Sequence, residues 1–171
     1  MLAFVNNLID GLSTLVFTQI SLFGIAIEVV VLDARERHVA SGKTLRADID
    51  PSLVLDDVSR TLDALVHLVD FAFASAPPES EIDLVVTKPA HRLVRVGAVR
   101  LSLRWQVRAD SRGDADEGKI VSIRAGVQGA YSLQQSSAAH EIEALFEAMS
   151  WRVSIEAVAA TGEIWARAAC D

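Results

Sequence analysis

The chain has 171 residues, of which 51% are hydrophobic and 23% are charged, a balance typical of a globular domain rather than a disordered segment. Its formal net charge of −7 excludes a general electrostatic attraction to nucleic acid or to an anionic membrane. The single cysteine, Cys170, allows no intramolecular disulfide and no cysteine-based metal site, and no basic residue precedes Arg35 to form a signal peptide. We expect a single cytoplasmic domain over residues 1–171 that binds no metal.

The first fifty residues are predicted to form a helix, a strand and a loop. Apolar side chains recur at three- and four-residue spacing from Leu2 to Val16, which predicts a core-facing helix that ends near Gly24. The β-branched run that follows predicts a strand over Ile25–Leu32. Residues 33–50 are polar, and they are predicted to form a loop with at most a short edge strand.

A membrane-spanning helix over Gly11–Leu32 is the alternative, because this stretch supplies about 20 mostly apolar residues, the length that a spanning helix needs. Gln19 and Glu28 interrupt it with polar side chains, and its pattern changes at Gly24 from helical spacing to the β-branched run. We therefore favour a core helix followed by a strand and expect no membrane segment.

The longest predicted helix lies in the middle of the chain. Asp50 is suited to its N-cap and Pro51 to its first turn. From Leu53 to Phe73, apolar residues mark one face of the helix over about six turns, and Pro77-Pro78 ends it. The helix leads directly into the strands that follow.

Four strands are predicted in series after this helix: Glu81–Thr87, Arg92–Val96, Ala98–Arg108 and Lys119–Ala125. In the third strand apolar residues alternate with polar and cationic ones, which predicts one face on the core and one face in water. The polar stretch Ser111–Gly118 is predicted to be a solvated hairpin loop.

The last part of the chain is predicted to contain one helix and two strands. Residues 126–137 lack clear periodicity, and His140–Met149 has the apolar spacing of an amphipathic helix. The strands Arg152–Val158 and Glu163–Ala169 are joined through Thr161-Gly162. The resulting order, α-β-α-β-β-β-α-β-β, predicts an α+β domain with a sheet covered by helices on one side.

Three stretches resemble the GHKL (Bergerat) fold, the ATPase domain of histidine kinases. Gly24–Val29, GIAIEV, looks like the family's "GIELEV" strand, and His67–Pro77, HLVDFAFASAP, looks like "NLLDNALKYTP". Leu145–Glu156, LFEAMSWRVSIE, looks like "LVEAMGGRVSVES". The resemblance implies a two-layer α/β sandwich with a mixed, mostly antiparallel sheet and helices packed on one face.

The residues that the family uses to bind nucleotide are replaced in this chain. A Mg²⁺-binding Asn of the family corresponds to Phe71, and the other position that is commonly Asn corresponds to His67; neither side chain can replace the amide oxygen that Mg²⁺ prefers. Asp70 shares a helix face with His67 and could hydrogen-bond to it. The resemblance therefore implies a vestigial pocket at these positions.

The glycine motifs of the family are also reduced. The adenine-binding D-x-G-x-G segment corresponds to residues 125–129, where Ala125 replaces the carboxylate and only Gly129 of the two glycines remains. The phosphate loop corresponds to Ser136–Ala139, which has no glycine, and the last glycine-rich turn keeps Gly162 alone. The resemblance implies a pseudokinase that hydrolyses no ATP and has no cofactor.

A cationic strand face is the clearest candidate surface for a partner. Six basic side chains fall within about twenty residues of an otherwise acidic chain: Lys88, Arg92, Arg95, Arg100, Arg104 and Arg108. This face is either a solvated sheet surface or a docking surface for an acidic protein. Nucleic acid is disfavoured because exposed aromatic residues are few.

Three functions compete. The first is a non-catalytic regulatory or scaffolding protein that binds a signalling partner, such as a response regulator, and that could form a homo-oligomer. The second is a divergent active nucleotide-binding kinase or phosphotransfer protein that uses His67, Asp70 or His140. The third is an unrelated α/β binding module, which would be favoured if the helix Leu53–Ala76 did not lie across a sheet beside the helix Ala139–Met149.

Overall fold

The computed structural model describes residues 19–51, 53, 57–88, 98–106, 127–158, 161 and 163–170, with the side chains of the first helix described from residue 24 onward. The described helices are α1 (Gln19–Arg37), α2 (Val58–Ser75), α3 (residues 127–134) and α4 (Ser137–Ala148), with a 3-10 turn at Val39–Ser41. The described strands are β1 (Thr44–Ile49), β2 (Glu81–Thr87), β3 (Val99–Gln106), β4 (Arg152–Val158) and β5 (Glu163–Cys170).

The five described strands form one mixed sheet in the order β1-β2-β3-β5-β4. β1 and β2 are parallel, as the crossover through α2 requires, and the other three neighbouring pairs are antiparallel. Helices α1, α2 and α4 contact β1, β3 and β4, respectively, from the same side, and α2 also contacts β5. The predicted α+β sandwich, with a mixed, mostly antiparallel sheet and helices on one face, is confirmed.

The prediction of a strand over Ile25–Leu32 is wrong, because these residues belong to α1. Burial explains the helix. The buried residues share one face of it and are at most 5% exposed: Ala26, Ile27, Val30, Val31 and Ala34. Helix formation here overrides the β-propensity of the β-branched run. Gly24 does not end the helix, and the structural assignment of residues 24–29 to a "GIELEV" strand fails with it.

The first strand lies instead in the polar segment that was predicted to be mainly loop. β1 buries Leu45 and leaves Thr44, Arg46 and Asp48 exposed, so its pattern has a period of two but only one fully buried side chain. β1 is also the last described strand at its end of the sheet. A strand of this kind needs little apolar content, which is why its sequence resembles a loop.

The long helix α2 begins at Val58 rather than at Pro51. The Asp57 side chain accepts a hydrogen bond from the backbone N–H of Arg60 at 2.9 Å, which makes Asp57 the N-cap in place of Asp50. The predicted end at the Pro77 turn is confirmed, with Ala76 as the C-cap.

Helix α2 lies across the sheet beside α4. Its buried face packs on β3 and β5, and the guanidinium of Arg60 donates a hydrogen bond to the carbonyl of Met149 at the end of α4. This arrangement argues against the unrelated α/β module. Within the described part of the chain, no helix combines the length and the apolar character needed to cross a membrane.

The strands predicted after α2 are confirmed wherever the structure describes them. β2 has the predicted bounds, β3 lies within Ala98–Arg108, and α4, β4 and β5 agree with their predictions to within three residues. The predicted helix Leu2–Val16, the strands Arg92–Val96 and Lys119–Ala125 and the loop Ser111–Gly118 lie outside the described residues. Residues 127–134, for which no periodicity was found, are helical.

Candidate functional site

Phe71 occupies the position on α2 where the resemblance expects a magnesium-binding amide. Its side chain faces β3 and is 8% exposed. The ring meets Trp105 edge to face, with 6.2 Å between the ring centroids and an interplanar angle of 69°, a preferred aromatic geometry. Trp105 is itself 1% exposed. An aromatic pair of the hydrophobic core therefore occupies this position of α2.

His67, one turn earlier on the same helix, is exposed. Asp70, between these two positions, is directed towards α1, where Arg37 Nη1 lies 2.7 Å and His38 Nε2 lies 3.4 Å from its Oδ1. The predicted hydrogen bond between His67 and Asp70 is therefore replaced by contacts with the end of α1. The three neighbouring positions of α2 have three different environments: solvent, an ion pair and the core.

The partners of Asp70 form a small polar cluster that sequence analysis missed. Arg37 also donates to Asp33 at 2.9 Å, and the His38 ring stacks on Phe73 at 4.2 Å. Burial lowers the pKa of Arg37, but hydrogen bonds and attraction to Asp70 and Asp33 outweigh it, so the pKa is raised. The cluster depends on α1 being a helix, since Asp33 and Arg37 are one turn apart.

Lys43 caps the C-terminal end of α2. Its Nζ donates to the carbonyl of Phe73 at 2.5 Å, which places a cation at the negative end of the helix dipole. Partial burial lowers the pKa of Lys43. This contact secures the segment between the 3-10 turn and β1 against α2.

The described positions that correspond to the family's glycine motifs lie within a helix or at the start of one. Gly129 lies within α3, and Ala125 and Gly162 lie outside the described residues. Ser136 is the N-cap of α4, and its side chain accepts from the N–H of Ala139 at 3.2 Å. His140, in the same first turn, is exposed, and its Nδ1 lies 2.8 Å from the carbonyl oxygen of Ser136. The positions of the phosphate loop are thus a capped helix start.

After α4, Ser150 and Trp151 stand where the family sequence "LVEAMGGRVSVES" has two glycines. Ser150 has a positive φ of 59°, a conformation that favours glycine, and Trp151 is 3% exposed with its ring perpendicular to Phe146. Among the described residues, the buried indole Nε1 atoms of Trp105 and Trp151 have no hydrogen-bond partner. The burial of each ring therefore carries the cost of an unsatisfied donor.

The predicted cationic surface is only partly described, since Arg92, Arg95 and Arg108 lie outside the described residues. Arg100 and Arg104 are on β3 and point away from the helices. Two nitrogens of Arg104 donate to Asp83, at 2.6 and 3.3 Å, and its guanidinium lies 5.5 Å from the Trp165 ring centre. The hydrogen bond to Asp83 raises the pKa of Arg104. Arg100 has no ion-pair partner among the described residues.

The outer face of the sheet, defined as the face away from the helices, carries balanced charge. Its described side chains include five arginines and five carboxylates: Arg46, Arg100, Arg104, Arg152, Arg167, Asp48, Glu81, Asp83, Glu156 and Glu163. Several are paired, such as Arg167 with Glu156 at 2.6 Å and Arg46 with Glu81 at 2.5 Å. The strand β3 is cationic by itself, whereas the face it belongs to is not.

A polar cleft of about 340 Å³ opens at the end of this face. Its walls include Arg46, Glu81, Asp83, Arg104 and Glu163. The described residues hold no group of three or more histidine, cysteine, aspartate or glutamate side chains arranged to bind a metal. Because charged side chains of both signs line the cleft, its chemistry suits polar or charged groups.

Solved structures of histidine kinases share this fold. The catalytic domain of histidine kinase ThkA aligns over 84% of this chain and 91% of its own, with 9% identity and a TM-score of 0.50. The histidine kinase AdeS of Acinetobacter baumannii aligns over 96% of this chain and 80% of its own, with 12% identity and a TM-score of 0.51. A histidine kinase from Burkholderia phymatum STM815 aligns over 84% and 66%, with 18% identity and a TM-score of 0.51.

No protein-family model and no curated protein sequence matches the chain. The structural likeness shows that the chain has the histidine-kinase ATPase fold, which confirms the fold that the resemblance implied. At these identities the likeness concerns the fold alone.

Proposed function

We propose that this protein is a degenerate histidine-kinase ATPase domain that neither binds nor hydrolyses ATP and that acts in the cytoplasm as a regulatory or scaffolding protein. The observation that carries the proposal is the burial of Phe71 against Trp105. Mg²⁺ bridges the phosphates of a nucleotide and takes hard oxygen ligands, and a phenyl ring in the core supplies none.

The neighbouring positions support the same conclusion. Asp70 retains a carboxylate, but Arg37 and His38 contact it from the side of α1. His67 is exposed and offers a ring nitrogen, which Mg²⁺ prefers less than oxygen. At Ser136–Ala139 the N-cap side chain already accepts from one of the backbone N–H groups that a phosphate would need.

Calorimetric titration of the full chain with ATP and Mg²⁺ tests this proposal. We expect no saturable heat up to millimolar nucleotide, while an active histidine-kinase catalytic domain in the same buffer serves as the positive control. The Phe71→Asn variant should also fail to bind, because the other motif positions remain replaced. Saturable binding of the wild-type chain in the micromolar range would overturn the proposal.

We propose the outer face of the sheet around Arg100 as the docking surface for a signalling protein, such as a response-regulator-like partner. Arg100 supports this choice because no carboxylate among the described residues pairs with it, whereas Asp83 already neutralises Arg104. Electrostatic complementarity then favours an acidic partner near Arg100.

Binding of purified, acidic receiver domains to the immobilised chain tests this surface. Charge reversal by Arg100→Glu should weaken binding of the cognate partner at least about tenfold, equivalent to about 1.4 kcal/mol. Arg46→Glu is the matched control, because Arg46 is on the same face but distant by two strands. Equal loss in both variants would indicate a diffuse charge effect and would count against a specific surface.

A further inference from the structure

The charges of the outer face balance in number, but they are separated along the strands. At one end, Arg100 of β3 and Arg152 of β4 both lie directly opposite Ala169 of β5. Neighbouring strands are about 4.8 Å apart, so the Cα atoms of the two arginines are about 10 Å from each other. Within the described strands, the remaining outer-face neighbours of Ala169 are uncharged or basic: Ser102, Ser154 and Arg167. We call this region the basic end.

At the other end of the strands, the polar cleft contains more carboxylates than arginines. Its described walls hold Glu81, Asp83 and Glu163 against Arg46 and Arg104. Arg104 serves two of these carboxylates unequally: it lies 2.6 Å from Asp83 but 3.8 Å from Glu163, beyond hydrogen-bond distance. The Glu163 side chain is only 16% exposed, so its charge has little solvation and no closer cation among the described residues. We call this cleft the acidic end.

Trp165 lies between the two ends, on the outer face of β5. The guanidinium groups of Arg104 and Arg167 lie 5.5 and 4.6 Å from the centre of its partly exposed ring. Arg167 also pairs with Glu156 at 2.6 Å, so these two charges cancel at the boundary between the ends. Tryptophan and arginine are the residues that most often carry binding energy at the centre of protein interfaces, inside a polar rim. The outer face has this arrangement, with charge of opposite sign at its two ends.

The separation of the charges restricts the kind of partner that fits. Arg100 is six residues from Gln106, which lies opposite Glu163, so the two ends are about 20 Å apart. A uniformly acidic partner would be attracted by the basic end but repelled by the acidic end and by a chain whose net charge is −7. A partner with charges of both signs would be attracted at both ends.

We infer that the protein partner of the outer face presents charges of both signs, with acidic groups over Arg100 and Arg152 and a basic group at the cleft beside Glu163. Trp165 is covered at the centre of the contact. This inference rests on the proposed docking surface and defines the charge pattern of the protein that occupies it.

Fluorescence anisotropy with labelled helical peptides tests the charge pattern. Each peptide is alanine-based, with about 15 residues and a length of about 22 Å. The two-sign peptide carries four glutamates in its N-terminal half and four lysines in its C-terminal half, and the controls carry eight glutamates or eight lysines. At about 0.1 M ionic strength the Debye length is about 10 Å, so each end of the face acts on the nearest half of the peptide.

The two-sign peptide should bind at least about tenfold more tightly than either control peptide, because only it avoids like charges at both ends. Equal or tighter binding of the all-glutamate or all-lysine peptide would overturn the inference. So would the absence of saturable binding of the two-sign peptide up to about 1 mM.

Charge reversal at either end should weaken binding of the two-sign peptide at least about tenfold, by Arg100→Glu at the basic end and by Glu81→Lys at the acidic end. Glu163→Gln, which keeps an acceptor for the Trp165 indole, should weaken it at least about threefold. Glu143→Lys is the matched control, because it makes the same change in net charge at an exposed position of α4, and it should leave the affinity unchanged. Circular dichroism verifies that the variants fold. Equal weakening by Glu143→Lys and Glu81→Lys would overturn the inference.

Binding of the receiver domains to the same variants separates this inference from the proposed docking surface. A domain that both Arg100→Glu and Glu81→Lys weaken supports the inference. A domain that Arg100→Glu weakens, but that Glu81→Lys strengthens or leaves unchanged, overturns the inference and retains the docking surface. If neither reversal changes binding, the docking surface itself is wrong. A dimer of the chain alone that Glu81→Lys dissociates in sedimentation equilibrium would identify a second copy as the occupant and would also overturn the inference.

Discussion

Along the single strand β3, Leu103 and Trp105 face the helices, while Arg100 and Arg104 face away from them. The inner face of the sheet is apolar and buried, and Phe71 packs against Trp105 there. The outer face is half-exposed and held by ion pairs such as Asp83–Arg104. Apolar burial contributes most of the stability of a domain, whereas exposed ion pairs contribute little.

The comparison indicates that the inner face of the sheet maintains the fold, whereas the outer face is available for recognition. The fold depends on the inner face, where Phe71 of α2 packs against Trp105 of β3. The outer face is free to change its charges without loss of the core. Variants of adjacent residues on one strand should therefore have effects that differ in size and in physical origin.

The largest expected effect comes from Trp105→Ala, which should lower the free energy of unfolding by about 3–5 kcal/mol, because it removes a large, fully buried ring. Arg104→Ala, one residue earlier on the outer face, should cost less than about 1 kcal/mol. Urea denaturation followed by far-ultraviolet circular dichroism measures both. Similar losses in the two variants would contradict the division between the faces.

The next effect concerns Phe71, the residue that carries the proposal of a lost nucleotide site. Phe71→Asn should lower the free energy of unfolding by about 3 kcal/mol, because the amide would be buried among apolar groups without its partners. Phe71→Leu, the control, keeps the position apolar and should cost about 1–2 kcal/mol. Unchanged stability in Phe71→Asn would mean that the position opens to solvent and that the pocket still exists.

These positions also show how far the sequence predicts the structure. The alternation in β3 and the apolar spacing of α4 predicted two elements of the sandwich, because each has one face committed to the core. The packing of Phe71 against Trp105 was not predicted, because it depends on where α2 lies over β3.

Other features could not be predicted because tertiary burial decided them. The run from Ile25 to Val31 has high β-propensity, and only the packing of its stripe against the core makes it helical. The contact of Asp70 with Arg37 joins residues 33 positions apart and requires α1 to end beside α2. The balance of charge on the outer face needed the strand order, since Asp83 and Arg104 are neighbours only in the sheet.

A smaller effect is expected at the turn that joins the helix layer to the edge of the sheet. Ser150 adopts a φ of 59°, where a side chain is strained and glycine is not. Ser150→Gly should therefore raise the free energy of unfolding by about 0.5–1 kcal/mol. Ser150→Ala, the control, keeps a Cβ and should give no gain. Thermal unfolding distinguishes the two, and equal stability of both variants would contradict strain at this turn.

The smallest expected effect is the coupling between Asp83 and Arg104, and its dependence on salt sharpens the comparison between the faces. A double-mutant cycle with Asp83→Ala and Arg104→Ala should give about 0.2–1 kcal/mol in low salt, because both side chains are partly exposed. At 1 M salt the Debye length falls to about 3 Å and the coupling should largely disappear. The Phe71–Trp105 cycle should give about 0.5–1.5 kcal/mol at either salt concentration, because packing is not screened. If both couplings fell together with salt, the ions would be acting on the whole fold, and the two faces of β3 would not be energetically separate.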